Sequence, residues 1–285
     1  MHKQVKSVFY ILVLAIFCSC NQDIIPDLEI NKVFSEIDTL EIETVSGDCI
    51  FSRSSSDSIY VKVLYEPEAT NSFKPEFVID ERKLHIKERV QGQSIGKTSW
   101  LIMVPENVEI DAGSVSGKIV AEGLHSGFSA ETVSGGILVS NSTGHFNLGS
   151  VSGKIKGLNL SGEFNINTIS GRINFNATKV LQPSSWGSVS GDLVVQLAEE
   201  VQNDIILSSI SGNVLLHLNG INQSGFFEFI AEKDKGCIIS PISFVKETTF
   251  NEEGKLFEKK SFIQQNAAPK ILLNTISGEV ELITE

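Results

Sequence analysis

Eight serines stand directly before a glycine inside one repeated word: Ser46-Gly47, Ser116-Gly117, Ser134-Gly135, Ser152-Gly153, Ser170-Gly171, Ser190-Gly191, Ser211-Gly212 and Ser277-Gly278. A serine hydroxyl becomes a nucleophile when a base takes its proton and a sharp turn presents it. The hydrolase form of that turn reads Gly-x-Ser-x-Gly, but the middle of Gly113 to Gly117 is Val115, so the match fails. His85, His125, His145 and His217 are scattered, with no His-x-x-x-His pair and no Glu at ligand spacing. Gly117-Lys118 and Gly153-Lys154 are each followed by Ile, where a phosphate loop needs Ser or Thr. The residues after each Ser-Gly, from Asp48, Lys118, Gly136 and Lys154 to Arg172, Asp192, Asn213 and Glu279, mix signs. A calcium-binding solenoid would stack acids there. The expectation is therefore a protein that is not an enzyme, with no catalytic residue, no metal and no cofactor. A carbohydrate-cleaving β-helix is the third-ranked reading, because no paired carboxylates recur on one face of the repeat. Trp100 and Trp186 are too isolated for a sugar platform, although Trp186, in a repeat lengthened by two residues, is the best single contact point.

The repeated words are GSVSGKI, ETVSGGI, GSVSGKI, NTISGRI, GSVSGDL and SSISGNV, with outlying copies ETVSGDC and NTISGEV. Gly117, Gly135, Gly153, Gly171, Gly191 and Gly212 are separated by steps of 18, 18, 18, 20 and 21. Five helical turns also span about 18 residues, but β-branched residues crowd each Ser-Gly and favour strand over helix. Apolar positions alternate at period two: Val115, Ile119, Ala121 and Leu124 in one repeat, Val133, Ile137 and Val139 in the next. Gly127-Phe128, Gly144-His145-Phe146 and Gly162-Glu163-Phe164 open a second short alternation halfway through each repeat. Two strands per repeat predict an all-β parallel β-solenoid of about 18-residue coils. A single coil buries too few side chains to offset the cost of fixing its backbone, so coils must stack and the ends must be capped. The glycine is expected to adopt corner angles that a Cβ forbids, and the serine to satisfy backbone groups there. Cys49 falls where other coils place Ile119 or Val214 and reads as a core residue; Cys237 follows a Lys-Gly turn. Whether the two pair as a disulfide stays open.

Repeated [ST]-[VI]-S-G-x-[IV] words resemble the bacterial putative-adhesin family of β-strand-repeat proteins, a domain of unknown function. The resemblance covers roughly residues 35–285 and includes the early TVSGDC and late TISGEV copies. It implies a β-solenoid at the cell envelope, in lipoprotein form, and its motif carries no catalytic residues.

The chain opens MHKQVKSVFYILVLAIFCSCNQD. Lys3 and Lys6 precede an apolar run, Val8 to Phe17, too short for the about 20 residues of a membrane span and suited to a signal peptide. Phe17-Cys18-Ser19-Cys20 resembles a lipobox, with Cys20 as the lipidated residue. The expected organisation is a signal peptide at 1–19, a tether at 20–27, an N-terminal β cap at 28–110, the regular solenoid at 111–218, and an insertion with a closing coil at 219–285. Four or five strands are expected in the cap; Phe226, Phe227, Phe229 and Phe244 mark the insertion. Removal of Lys3 and Lys6 from 23 basic residues leaves 21 against 35 acidic, a net charge of −14. That balance disfavours nucleic acid and anionic head groups. The expected partners are a membrane, through the lipid anchor, and an unknown protein or glycan. The expected place is the outer membrane, surface-exposed or facing the periplasm. The first reading is a non-enzymatic putative adhesin, the second a periplasm-facing stress sensor or scaffold.

Overall fold

The computed structural model describes residues 29–66, 69, 72–92 and 96–285. The signal segment, Cys20 and the tether lie outside the described residues. The described chain is all-β, with no α-helix.

The N-terminal part is β1 (Glu29–Ser35), β2 (Thr39–Thr44), β3 (Asp48–Arg53), β4 (Ser58–Tyr65), β5 (Phe73–Asp80), β6 (Lys83–Val90) and β7 (Thr98–Val104). The regular run follows as β8 (Glu109–Ser114), β9 (Ile119–Glu122), β10 (Phe128–Thr132), β11 (Ile137–Ser140), β12 (Thr143–Ser150) and β13 (Ile155–Thr168). It continues as β14 (Ile173–Val180), β15 (Ser184–Ser188), β16 (Leu193–Leu197), β17 (Ile205–Ser209) and β18 (Val214–His217). The last part is β19 (Gly225–Glu232), β20 (Gly236–Ile239), β21 (Lys246–Glu252), β22 (Lys255–Gln264), β23 (Lys270–Thr275) and β24 (Gly278–Ile283).

Each Ser-Gly word is a corner between two parallel sheets. Strands entering the corners form a leading sheet, in which β8, β10, β12, the second half of β13, β15 and β17 lie side by side. Strands leaving them form a trailing sheet of β9, β11, the first half of β13, β14, β16 and β18. Register follows the repeat: Phe128 lies beside both Ile110 and Phe146, and Ile137 beside Ile119 and Ile155.

Both ends depart from chain order. The early TVSGDC strands β2 and β3 pair with β8 and β9 on one side and with β6 and β7 on the other. β5, β4 and β1 then add antiparallel edges. Seven strands thus precede the run where alternation suggested four or five, because β1 and β5 alternate too weakly to stand out. At the far end β23 and β24 follow β17 and β18, but they are not outermost. β19 and β20 lie outside them, and the hairpin of β21 and β22 continues from β19.

The core lies between the sheets. Phe146 and Phe164 stack at 5.7 Å between ring centroids, and Phe164 meets Phe175 at 4.9 Å and Trp186 at 5.6 Å. Gly157 lies beside Phe175 in the trailing sheet, and a Cβ there would overlap the Phe175 ring. Trp186 is fully buried, which removes it as a contact point: the lengthened coil holds a large core side chain instead of offering one. Trp100 is also fully buried, its Nε1–H donating to Thr98 Oγ1 at 2.9 Å.

Candidate interaction surface

The corners are built by three residues in sequence. The first is a Ser or Thr pointing inward: Ser114, Thr132, Ser150, Thr168, Ser188 and Ser209 are buried. Each accepts the N–H of the glycine three residues on, at 2.7 to 3.0 Å. The second residue faces outward: Val115, Val133, Val151, Ile169, Val189 and Ile210 are 42–51% exposed. Val115 and Val133, grouped by the period-two reading with Ile119 and Ile137, thus face the other way. Period-two alternation breaks at the corner, where the inward place goes to the hydroxyl that serves the turn. The third residue is the motif serine. Ser116, Ser134, Ser152, Ser170, Ser190 and Ser211 donate Oγ–H to a carbonyl of the preceding coil at 3.1 to 3.2 Å. That carbonyl also accepts the serine's own N–H, so the hydroxyls complete a backbone ladder.

The motif glycine is required by close approach. At Gly117, Gly135, Gly153, Gly171, Gly191 and Gly212 an added Cβ would overlap the carbonyl oxygen of the previous motif glycine. None of these six has a positive φ, so the expected conformational reason does not apply to them. Gly278, with φ +146°, does use the freedom of glycine.

The first corner has no motif coil before it, and its upward N–H groups meet Glu88. One carboxylate oxygen accepts Val45 N–H at 2.7 Å, Ser46 N–H at 3.1 Å and Gly47 N–H at 3.4 Å. Thr98 donates its hydroxyl to the other oxygen, and Glu88 is buried. Neither Glu88 nor the inward hydroxyl column was recognised from the sequence. The column was visible in the repeated [ST] that opens each word; Glu88 carries no local signal.

The two outer faces differ. The leading face carries Glu41, Glu43, Asp111, Glu131 and Glu163 along β2 to β13, with Ser129, Asn147 and Asn165 between them. Asn165 Nδ2 donates to Asn147 Oδ1 at 3.1 Å, continuing the stacking at side-chain level. Asp111 has its carboxyl pushed up, first by burial and then by Glu41 beside it. Glu41 is itself held below the usual range by the Lys83 ammonium. Where this face meets the corner, Glu43, Gly113, Glu131, Val115, Val133 and Lys87 line an open hollow of about 490 Å³. The trailing face carries Ile50, Val120 and Leu138 in register, followed by Lys156.

The other residues singled out take ordinary places. His85, His125 and His145 sit beside Glu41, Glu106 and Glu163 at 3.3, 3.1 and 3.1 Å, and His217 ends β18. Among the described residues, no three of His, Cys, Asp or Glu are grouped to hold a metal. In the column after Ser-Gly, Asp48 Oδ1 accepts Lys118 N–H at 2.7 Å and Arg172 pairs with Asp192 at 2.7 Å. Cys49 is buried and Cys237 exposed, both as free thiols. Burial pushes the Cys49 thiol up to about 12.

Residues 27–236 match the model of the Toastrack DUF4097 family. The chain belongs to that family. Its fold has known counterparts: a putative adhesin of Parabacteroides merdae superposes with a TM-score of 0.50 at 11% identity, over 90% of this chain and 97% of that one. A putative adhesin of Bacteroides fragilis gives 0.51 at 11% identity, over 90% and 98%. At such identity the likeness is one of fold. No curated protein matches this Toastrack chain in sequence.

Proposed function

We propose that this Toastrack protein is a non-enzymatic lipoprotein of the cell envelope, joined to the outer membrane through Cys20, that presents a solenoid surface to a protein or glycan. The observation that carries the reading is the leading face. It is a stack of parallel strands bearing acids, amides and hydroxyls in register, broad enough for an extended partner. The naming of fold neighbours as putative adhesins supports it. In this reading the coils are about 18 residues long, residues 28–110 close one end and 219–285 close the other. The tether at 20–27 holds the domain at the membrane. The signal segment and Cys20 supply the address.

The test is protease shaving of intact cells, with a Cys20→Ala variant alongside. Loss of the solenoid from intact cells, with the variant released from the membrane, supports an outward-facing lipoprotein. Protection until the outer membrane is breached removes the adhesin reading and leaves a periplasm-facing sensor or scaffold. Equal behaviour of wild type and Cys20→Ala in a high-salt wash of the membranes, both retained or both released, removes the lipid anchor.

A further inference from the structure

We propose that the trailing face is a membrane-docking surface that lies against the phospholipid head groups. The proposal rests on the anchored-lipoprotein reading for the short tether that brings this face to the bilayer.

Three observations converge. The first is apolar continuity. Val33, Tyr60 and Met103 are partners across β1, β4 and β7, and are 58%, 37% and 43% exposed. On the same outward side, Leu101 lies beside Ile50, Ile50 beside Val120, and Val120 beside Leu138, each half-buried. At about 4.8 Å per strand this strip crosses six strands and about 24 Å. Scattered surface aliphatics need no explanation, but a continuous strip marks a contact.

The second observation is charge. The strip runs into Lys156, in register with Leu138, and is bordered by Lys118 and Lys154. These three lysines make no ion pair among the described residues, whereas Lys83 and Lys87 on the other face pair with Glu41 and Glu43. An overall excess of acid argues against anionic surfaces only if the charge is evenly spread. Here Glu41, Glu43, Asp111 and Glu131 lie on the leading face, while Asp48 and Glu122 are the acids beside the trailing strip, against Lys118, Lys154 and Lys156. Aliphatic side chains rimmed by lysines suit the boundary between acyl chains and phosphates.

The third observation is the position of β1 in the sheet. Glu29 opens β1, the edge strand of the trailing sheet that carries Val33. Cys20 is nine residues earlier, a reach of about 30 Å when extended. An anchor so close concentrates this edge at the bilayer and leaves the acidic leading face turned away, open to a partner.

The test uses the full chain in a Cys237→Ser background, carrying an environment-sensitive fluorophore at Ser140→Cys on the trailing face or Ser129→Cys on the leading face. Both forms are added to vesicles of phosphatidylethanolamine and phosphatidylglycerol, and to phosphatidylcholine alone, with and without Cys20→Ala. A blue shift at 140 but not at 129, larger on the anionic vesicles, is the expected result. Lys118→Glu, Lys154→Glu and Lys156→Glu together should lower partitioning of the unanchored chain about a hundredfold, near fivefold per lysine. Equal response at both labels, or none at 140 in either the anchored or the unanchored chain, overturns the proposal. So does concentration-dependent dimerisation abolished by Leu138→Asp without any vesicle response, which would give the face to a second copy. Failure of the anchor itself shows separately, as wild type and Cys20→Ala leaving the membrane alike.

Discussion

The two ends of the solenoid face opposite electrostatic problems. Stacked corners aim their N–H groups toward the N-terminal end and their carbonyls toward the far end. At the first end the structure spends a buried carboxylate, Glu88, on three N–H groups at once. At the far end a turn lies over the last motif corner, with Gly236 against the carbonyls of Ile276 and Gly278, and among the described residues no side chain plays the part of Glu88. An orphaned buried N–H is costlier and rarer than an under-satisfied carbonyl with two lone pairs. The end that exposes donors therefore needs a dedicated acceptor, while the end that exposes acceptors is served by ordinary backbone.

The comparison presupposes a continuous stack between the ends, so the largest expected effect is in the middle. Gly153→Ala should cost more than about 4 kcal/mol or prevent folding, because the new methyl overlaps the Gly135 carbonyl. A urea midpoint near that of the wild type would refute the close-approach account. Next comes Glu88→Ala, with an expected loss of about 3–5 kcal/mol from donors left buried without a partner. Glu232→Ala, at the end of β19 beside the covering turn, removes a buried carboxylate that has an unpartnered Oε2 and serves no corner N–H, and should cost under about 1 kcal/mol. Equal losses would remove the asymmetry. Within a corner, Ser150→Ala strands the Gly153 N–H and should cost about 1–2 kcal/mol. Ser152→Ala should cost less than about 0.5 kcal/mol, since the Val133 carbonyl keeps the Ser152 N–H. The smallest effect is a readout of opening. Cys237 should alkylate readily at pH 8 while Cys49, buried with a thiol pushed up to about 12, stays protected. Glu88→Ala should speed Cys49 labelling while Cys237 keeps its rate, marking the first end as the one loosened.

What could be read from the residues was whatever repeats. Columns such as Ile119, Ile137 and Ile155 follow directly from constant spacing, because equal steps place equal residues side by side. Two things do not follow from spacing. One is which way a side chain points at a corner: Val115 continues the alternation by type but faces water, since the turn rotates the chain and Ser114 takes the inner place. The other is the order of strands at the ends, which depends on non-local pairing. TVSGDC and TISGEV were recognised as copies, yet nothing near residues 49 or 280 states that motif-free strands lie outside them. The alternation of apolar and polar positions was legible, whereas the contrast between the polar leading face and the trailing face required both sheets in space.

The placement of β23 and β24 bears on how the protein is made. The strands that receive β19 and β20 are synthesised after them, so residues 225–239 have no parallel neighbour until β23 and β24 have emerged. A chain cut short after β22 would leave both β17 and β19 with open, apolar-flanked edges of the kind that quality-control proteases and aggregation exploit. Threading β23 and β24 between earlier strands makes completion of the far end conditional on synthesis of those two strands, and gives the cell a structural means of telling a molecule that has them from one cut short before them.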